Sequence, residues 1–471
     1  VSRDANLGAA GAGLILGGGT LEVLADGFAT ARPLTLAGAG TLQIDRGTAT
    51  FVGTIADGAQ SGTLLKTGPG TAVMSAANSF TGGALVGSGT LALTATAIFT
   101  APVLVDAGAS FLNAGLVAGS VGNFGTLANS GIITGGLTNA GLALNTGTIA
   151  GGVVNAGTLA TSGTISGGAT NAGSLSNAGT ITGGLFNAGL ALNTSTIAGG
   201  AFNTGSLSNA GTIAGAVANS GSLSNAGAIV GGLTNVGQAL NTGAIAGSVA
   251  NTGTLATSGT INGGLTNAGT VLASAGRIDG PIANKAGLLA VSGPVASDGS
   301  FANAAGATLA VTGAGRYSLA GPLTNAGTVI LAPTASLTAP AGLSNAGLIT
   351  SDGSLTADLT NTGIAQLSGQ LNGALINQGL LQITGPLAGL TTLTNAGALD
   401  LGGGTLAVPS LSGAAAAVLG NGSLMVMGAG SSAYAGAILE SASPTSLTKA
   451  GAGTLTLNGL GRFSGPTTIQ A

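Results

Sequence analysis

The chain contains no histidine, no cysteine and no tryptophan, and among 471 residues it carries only nine basic and twelve acidic side chains. Without histidine or a thiol the usual general base and the strongest nucleophile are missing, and no G-x-S-x-G occurs among the many serines and threonines, so no catalytic residue is assigned and an enzyme is not expected. The absence of cysteine also excludes disulfides and thiolate metal ligands. No run of 18 apolar residues exists, which excludes a membrane-spanning helix and predicts no membrane insertion by this segment. Nine scattered basic residues and a net charge of -3 argue against nucleic-acid binding. Disorder is opposed by the mean hydropathy of +0.59, since disordered chains combine low hydropathy with high net charge.

Two further gaps have a position. No charged residue occurs from Ala107 to Gly276, and no proline between Pro102 and Pro281. Inside that interval, from Asn123 to Thr266, stand nine uninterrupted copies of a 16-residue unit, N-x-G-x-L-x-N-x-G-x-I-x-G-G-L-x. Asparagine recurs in alternating steps of six and ten, broken only by Thr161 and Thr257. A fixed short period marks a stack in which each repeat is one turn that cannot bury its apolar face alone. Stretches such as Thr158-Leu159-Ala160 have the period of two expected of strands, while a glycine or asparagine every three or four residues disfavours helix.

The pattern therefore predicts an all-β fold: a single continuous parallel β-helix, or β-solenoid, of about 16–20 residues per coil, with three short strands and three corners in each. Leu127, Ile133 and Leu137, Leu175, Ile181 and Leu185, and Leu207, Ile213 and Val217 are expected to point inward. The N-x-G units and Gly-Gly pairs are expected at corners, where left-handed conformations are cheap. Stacked asparagines in register are also expected to form amide ladders. Stacking explains the missing charge and proline as well: like charges would repeat at about 4.8 Å, and every strand has neighbours on both sides.

A weaker 48-residue period overlies the first, placing Ala143, Ala191 and Ala239 where other repeats have a large aliphatic, each followed by Leu144, Leu192 or Leu240. Either that strand is rotated by one residue or every third coil has a small inward residue. Residues 1–122 read as irregular N-terminal coils, 123–266 as the regular array, 267–446 as less regular coils, and 447–471 as a final, truncated repeat. At about 4.8 Å per coil the chain would make a rod on the order of 110–140 Å long.

No cofactor or metal site is assigned. The carboxylates, from Asp4, Glu22 and Asp26 to Asp400 and Glu440, stand singly and read as solvated charges at loops. The glycine-rich calcium-binding nonapeptide is absent, and Gly17-Gly18-Gly19 lacks the lysine and helix of a phosphate cradle. Thr148, Thr164, Thr180, Thr196, Thr212 and Thr260 share one coil position and are expected to form a column, although the paired T-x-T of an ice-binding face occurs only in isolated coils. Neither end shows a charged or helical cap, which would leave coil ends open to another chain.

Residues 64–93 contain Lys66, Gly68, Gly70, Thr71, Asn78, Phe80, Thr81, Gly82, Gly89 and Thr90, and residues 447–471 contain Lys449, Gly451, Gly453, Thr454, Leu455, Leu457, Gly459, Phe463, Ser464 and Gly465. Both segments resemble the passenger-associated repeat of bacterial autotransporters, close to K-x-G-x-G-T-L-x-L-x-G-x-N-x-Y/F-S/T-G. Gly461 stands where the second copy should have asparagine, and Ala72 and Met74 where the first should have leucines. The resemblance implies a secreted passenger with a right-handed β-helix, carried across the outer membrane to the cell surface by a C-terminal β-barrel, which would follow Ala471. The first residues show no initiator methionine or signal segment, so the chain reads as a slice of a longer protein. The expected function is a structural or adhesive surface rod, acting as stalk or scaffold in attachment or cell–cell aggregation. The alternative is a self-assembling extracellular fibre or matrix subunit. Expected partners are further copies of the chain, laterally or end to end, and a host or neighbouring-cell surface.

Overall fold

The structure, a computed structural model, describes residues 1–415 and 418–470. It is all-β: a parallel β-solenoid with about 18 residues per turn. By its internal packing the chain divides into two units, Val1–Gly231 and Gly232–Ala471. Among the described residues no helix is long and apolar enough to cross a membrane.

One turn of the first unit shows how the 16-residue unit folds. Strands Val153–Asn155, Thr158–Thr161 and Thr164–Ile165 are followed by Ala169–Asn171, Ser174–Asn177 and Thr180–Ile181. Each pairs in parallel with its counterpart one turn later, Val153 opposite Ala169, Leu159 opposite Leu175 and Ile165 opposite Ile181. Alternation within the strands sends Val153, Asn155, Leu159, Thr161 and Ile165 inward. The expected core aliphatics, including Leu127, Ile133, Leu137, Ile213 and Val217, are all at most 2% exposed. The 48-residue variation is settled as well. Ala143, Ala191 and Ala239 are buried while Leu144, Leu192 and Leu240 are 40–48% exposed, so every third turn of that pattern has a small inward residue and displays its leucine outside.

The asparagines lie at the ends of strands and face the interior rather than the corner surface. Their amides form ladders. In the first unit Asn123, Asn139, Asn155, Asn171, Asn187, Asn203 and Asn219 are joined, each Nδ2 donating to the next Oδ1 at 2.7–2.8 Å. In the second unit a like column runs from Asn235 through Asn251, Asn267, Asn284, Asn303, Asn325, Asn345, Asn361 and Asn377 to Asn395 at 2.7–2.9 Å. Turn length varies along it from 16 to 22 residues, the longest lying beyond the expected 20. Most Nδ2 groups also reach the carbonyl two residues on, as Asn155 does to Gly157 at 3.1 Å, and one in the following turn, Ser174, at 2.9 Å. Buried polar groups are thus matched by partners supplied by the repeat itself. The first unit's column begins where Val105 pairs with Asn123, and the Asn123 Oδ1 is buried without a donor. The second unit's column ends where Asn395 donates to the Tyr434 hydroxyl at 3.3 Å. Gly413 makes this possible, since a Cβ there would lie 2.4 Å from the Tyr434 ring.

The glycines of N-x-G do not supply left-handed turns, contrary to expectation. Positive φ falls on the second glycine of several Gly-Gly pairs, such as Gly136 (92°), Gly168 (84°) and Gly184 (97°). The N-x-G glycines are needed for proximity: a Cβ on Gly141 or Gly157 would stand 2.1–2.2 Å from the carbonyl oxygen of the stacked glycine one turn before. Their amides and those of the preceding residue converge on one carbonyl, as Ala156 and Gly157 do on that of Asn139, at 2.8 and 3.1 Å. Ser195 occupies one such position. The inter-turn bonds around it shift, to 3.2 Å at Thr196 and 2.7 Å at Thr212.

The first turn is not open, which corrects the expectation of uncapped ends. Residues 1–13, with a short 3-10 helix at Asp4–Leu7, are held against it by Arg32, which is only 4% exposed. Arg32 Nε pairs with the Asp4 carboxylate at 2.9 Å, and its other nitrogens donate to the carbonyls of Gly8, Ala9 and Ala12.

The ladder makes a quantitative prediction. Asn171→Leu leaves the buried Asn187 Oδ1 without its donor, a loss of about 1–3 kcal/mol, while the Asn155 amide keeps its Gly157 and Ser174 acceptors. Asn171→Thr should cost less, because Thr161 natively accepts the Asn145 amide at 3.0 Å. Chemical denaturation of the three proteins checks the order; equal stabilities for wild type and Asn171→Leu would contradict it.

Candidate functional site: outer faces and lysine clamps

With the interior committed to packing, recognition falls to what the strands turn outward. In the first unit the shortest strand carries Thr148, Thr164, Thr180, Thr196 and Thr212 in direct register. They form the expected column, but Thr260 is not part of it: in the second unit it lies between Ala244 and Arg277. The two T-x-T partners are drawn into the backbone, Thr146 and Thr194 donating to the Asn129 and Asn177 carbonyls at 3.4 and 3.1 Å.

The longest strand of each turn and its neighbour turn large apolar residues to solvent instead. Leu142, Leu144, Leu190 and Leu192 are 40–56% exposed on one face. On the adjacent one Phe186 and Phe202 stack across neighbouring turns, 62% and 48% exposed, with ring centroids 6.1 Å apart.

The carboxylates are not idle solvated charges. Several accept backbone amides of a neighbouring turn: Asp26 from Thr48 at 2.7 Å, Asp298 from Gly280 at 2.7 Å and Asp358 from Ala374 at 2.8 Å. The Asp57 carboxyl accepts from the Gly62 and Thr81 amides and the Thr81 hydroxyl, and these donors, Gly62 foremost, hold it below its usual 3.8. Glu440 is likewise held low by the Ser464 amide and then that of Thr445. The first turn's Asp4 is lowered mainly by its bond to Arg32. Among the described residues no three metal-ligating side chains gather.

The residues that sequence reasoning left without a role are two lysines. Lys66 occupies an inward position, in register with Leu42 and Val86, and is fully buried without a carboxylate partner. Its Nζ donates to the carbonyls of Thr67, Gly68 and Ser88 at 2.9, 2.9 and 3.1 Å. Lys449 repeats this between Val426 and Ile469, donating to Ala450, Gly451 and Gly428. The glycine two residues on has φ of 76° in one case and 77° in the other, which aims its carbonyl back at the ammonium. Gly89 must lack a side chain because a Cβ would stand 2.3 and 2.6 Å from the carbonyl oxygens of Gly68 and Gly70 beside the clamp. The K-x-G spacing is thus a clamp in which an apolar stem fills the core and a charge closes a corner. The signal in the sequence was a lysine at an inward alternation position in a chain nearly free of charge.

These two clamps open the segments that match a known family model. Residues 64–93 and 447–471 match the model described as passenger-associated-transport-repeat. The two repeats and the parallel β-solenoid together support an autotransporter passenger domain. Ala471, the last residue of the second repeat, lies outside the described residues. Comparison of the chain with curated proteins and with solved structures returns no match. The repeat family implies export to the cell surface or extracellular space.

Burial pushes the Lys66 ammonium down to about 8 from the ordinary 10.5. Between those values the unfolded chain binds more protons than the folded one, so stability at this site rises with pH across the window. Lys66→Met has no such titration. The difference in unfolding free energy, wild type minus variant, should therefore grow from pH 8 to 10; a difference that stays flat or shrinks would contradict the burial of the charged amine.

Proposed function

We propose that this passenger is a non-catalytic scaffold at the bacterial surface, whose solenoid turns space or present a binding region in attachment or cell–cell aggregation. The observation that carries the reading is where its polar groups are spent. Asparagine amides satisfy one another, the two repeat lysines satisfy corner carbonyls, and carboxylates stitch neighbouring turns. The groups that would do chemistry or hold a small ligand are engaged in keeping the stack in register. What the outer surface of the first unit offers a partner includes exposed leucines and phenylalanines, as suits contact with another macromolecule better than the small concave site of an enzyme.

The second reading, a matrix or fibre subunit, is favoured by the exposed leucines and phenylalanines of the first unit. It favours lateral association.

External protease treatment of intact cells, followed by attachment and aggregation assays on a deletion strain, tests the proposal. The scaffold reading expects the passenger to be shaved from intact cells and its deletion to lower attachment or aggregation several-fold. A passenger protected inside the cell, or a deletion that changes neither behaviour, would overturn it.

A further inference from the structure

The longest strands of the first unit present two outward residues per turn, and these alternate in bulk along the stack. In order they are Ser110 and Leu112, Thr126 and Ala128, Leu142 and Leu144, Thr158 and Ala160, Ser174 and Ser176, Leu190 and Leu192, and Ser206 and Ser208, each pair directly in register with the next. Leucine pairs make ridges three turns apart, about 14 Å, and small residues make notches between them. The notch above Ala128, bounded by Leu112 and Leu144, has a volume of about 140 Å³.

We infer that this face is an isologous docking surface for a second copy of the chain, packed antiparallel about a two-fold axis along the Thr158–Thr161 strand. An axis there reverses the order of turns and preserves position along the strand. Leu142 and Leu144 of one copy then face Ser174 and Ser176 of the other. Leu190 and Leu192 face Thr126 and Ala128, Leu112 faces Ser208, and Thr158 and Ala160 face themselves. Every ridge meets a notch and no ridge meets a ridge.

The occupant follows from the same pattern. Filling successive notches requires a partner with apolar ridges at the same three-turn spacing, and this chain carries that spacing. Charge agrees: no Asp, Glu, Lys or Arg occurs between Ala107 and Gly276, so two identical faces approach without the like-charge repulsion that keeps equal surfaces apart. Leucine side chains 40–56% exposed would lose contact with water on docking, which drives association without a directional bond. The inference rests on the scaffold reading only for its biological setting, since the pairing is a property of the face itself.

The test uses the full chain, which has no native cysteine to confuse it. Sedimentation of wild type over about 1–100 µM should show a concentration-dependent dimer. Leu144→Lys with Leu192→Lys, two substitutions at outward positions, should abolish the dimer while circular dichroism keeps the β signature. Ala160→Cys, on the proposed axis, should give a disulfide-linked dimer under mild oxidation. Thr170→Cys, on the adjacent face, should give at least ten-fold less. A wild type monomeric throughout the range, a dimer indifferent to the two lysines, or cross-linking equally efficient at both cysteines would overturn the proposal. Shaving and attachment results are independent of all three, so failure here is distinguishable from failure of the scaffold reading.

Discussion

Asn155 Nδ2 lies within bonding distance of three acceptors at once: the next amide in its column, a carbonyl in its own turn and a carbonyl in the following one. That arrangement exists only if successive turns have their asparagines in register, and most other features follow from it. The interior can hold amides because each is satisfied by the copy beside it. The corner glycines must lack a Cβ because the register brings their backbones onto one another. A charge in the repeat would be multiplied down a column, which accounts for its absence from the array. Where turns lengthen, as between Asn303 and Asn325, the ladder bond stays at 2.7 Å and the extra residues are carried elsewhere in the turn.

The ends of a ladder need separate solutions, and the structure contains several. Tyr434 reaches across the space left by Gly413 to close the column at Asn395, while burial raises its phenol pKa and the Asn395 bond lowers it. The first turn is closed by a folded-back segment and a buried arginine. The passenger-associated repeats use a lysine as a core residue, its stem among aliphatics and its ammonium on corner carbonyls. Stability in this fold is shared between neighbouring turns, so these local devices act where the regular repeat provides no partner.

Much of the fold was legible in the sequence. Period, strand alternation and the inward Leu127, Ile133 and Leu137 could be read because an unbroken repeat states each position nine times. The direction of the asparagines was ambiguous, since turn preference and ladder formation place the residue at the same positions and only geometry separates them. The glycines of N-x-G were assigned to left-handed turns because that is the commoner reason for glycine in a loop; close stacking leaves the same mark. Arg32 and Asp4 were missed because a single pair 28 residues apart carries no period. The lysine clamps were missed as structural elements because a charge is ordinarily read as solvated. For the outward leucines the 48-residue period posed the alternatives, and burial chose between them.

The central claim is that the asparagine side chains are interior structural elements locked by one another. Hydrogen exchange of their side-chain amide protons, followed by nuclear magnetic resonance on amide-labelled protein, tests it most directly. The account predicts that the Nδ2 protons of the column from Asn123 to Asn219 are protected as strongly as the backbone amides of the strands that carry them. Exchange at the rate of free asparagine, with the strand amides still protected, would show the side chains open to water and contradict the account.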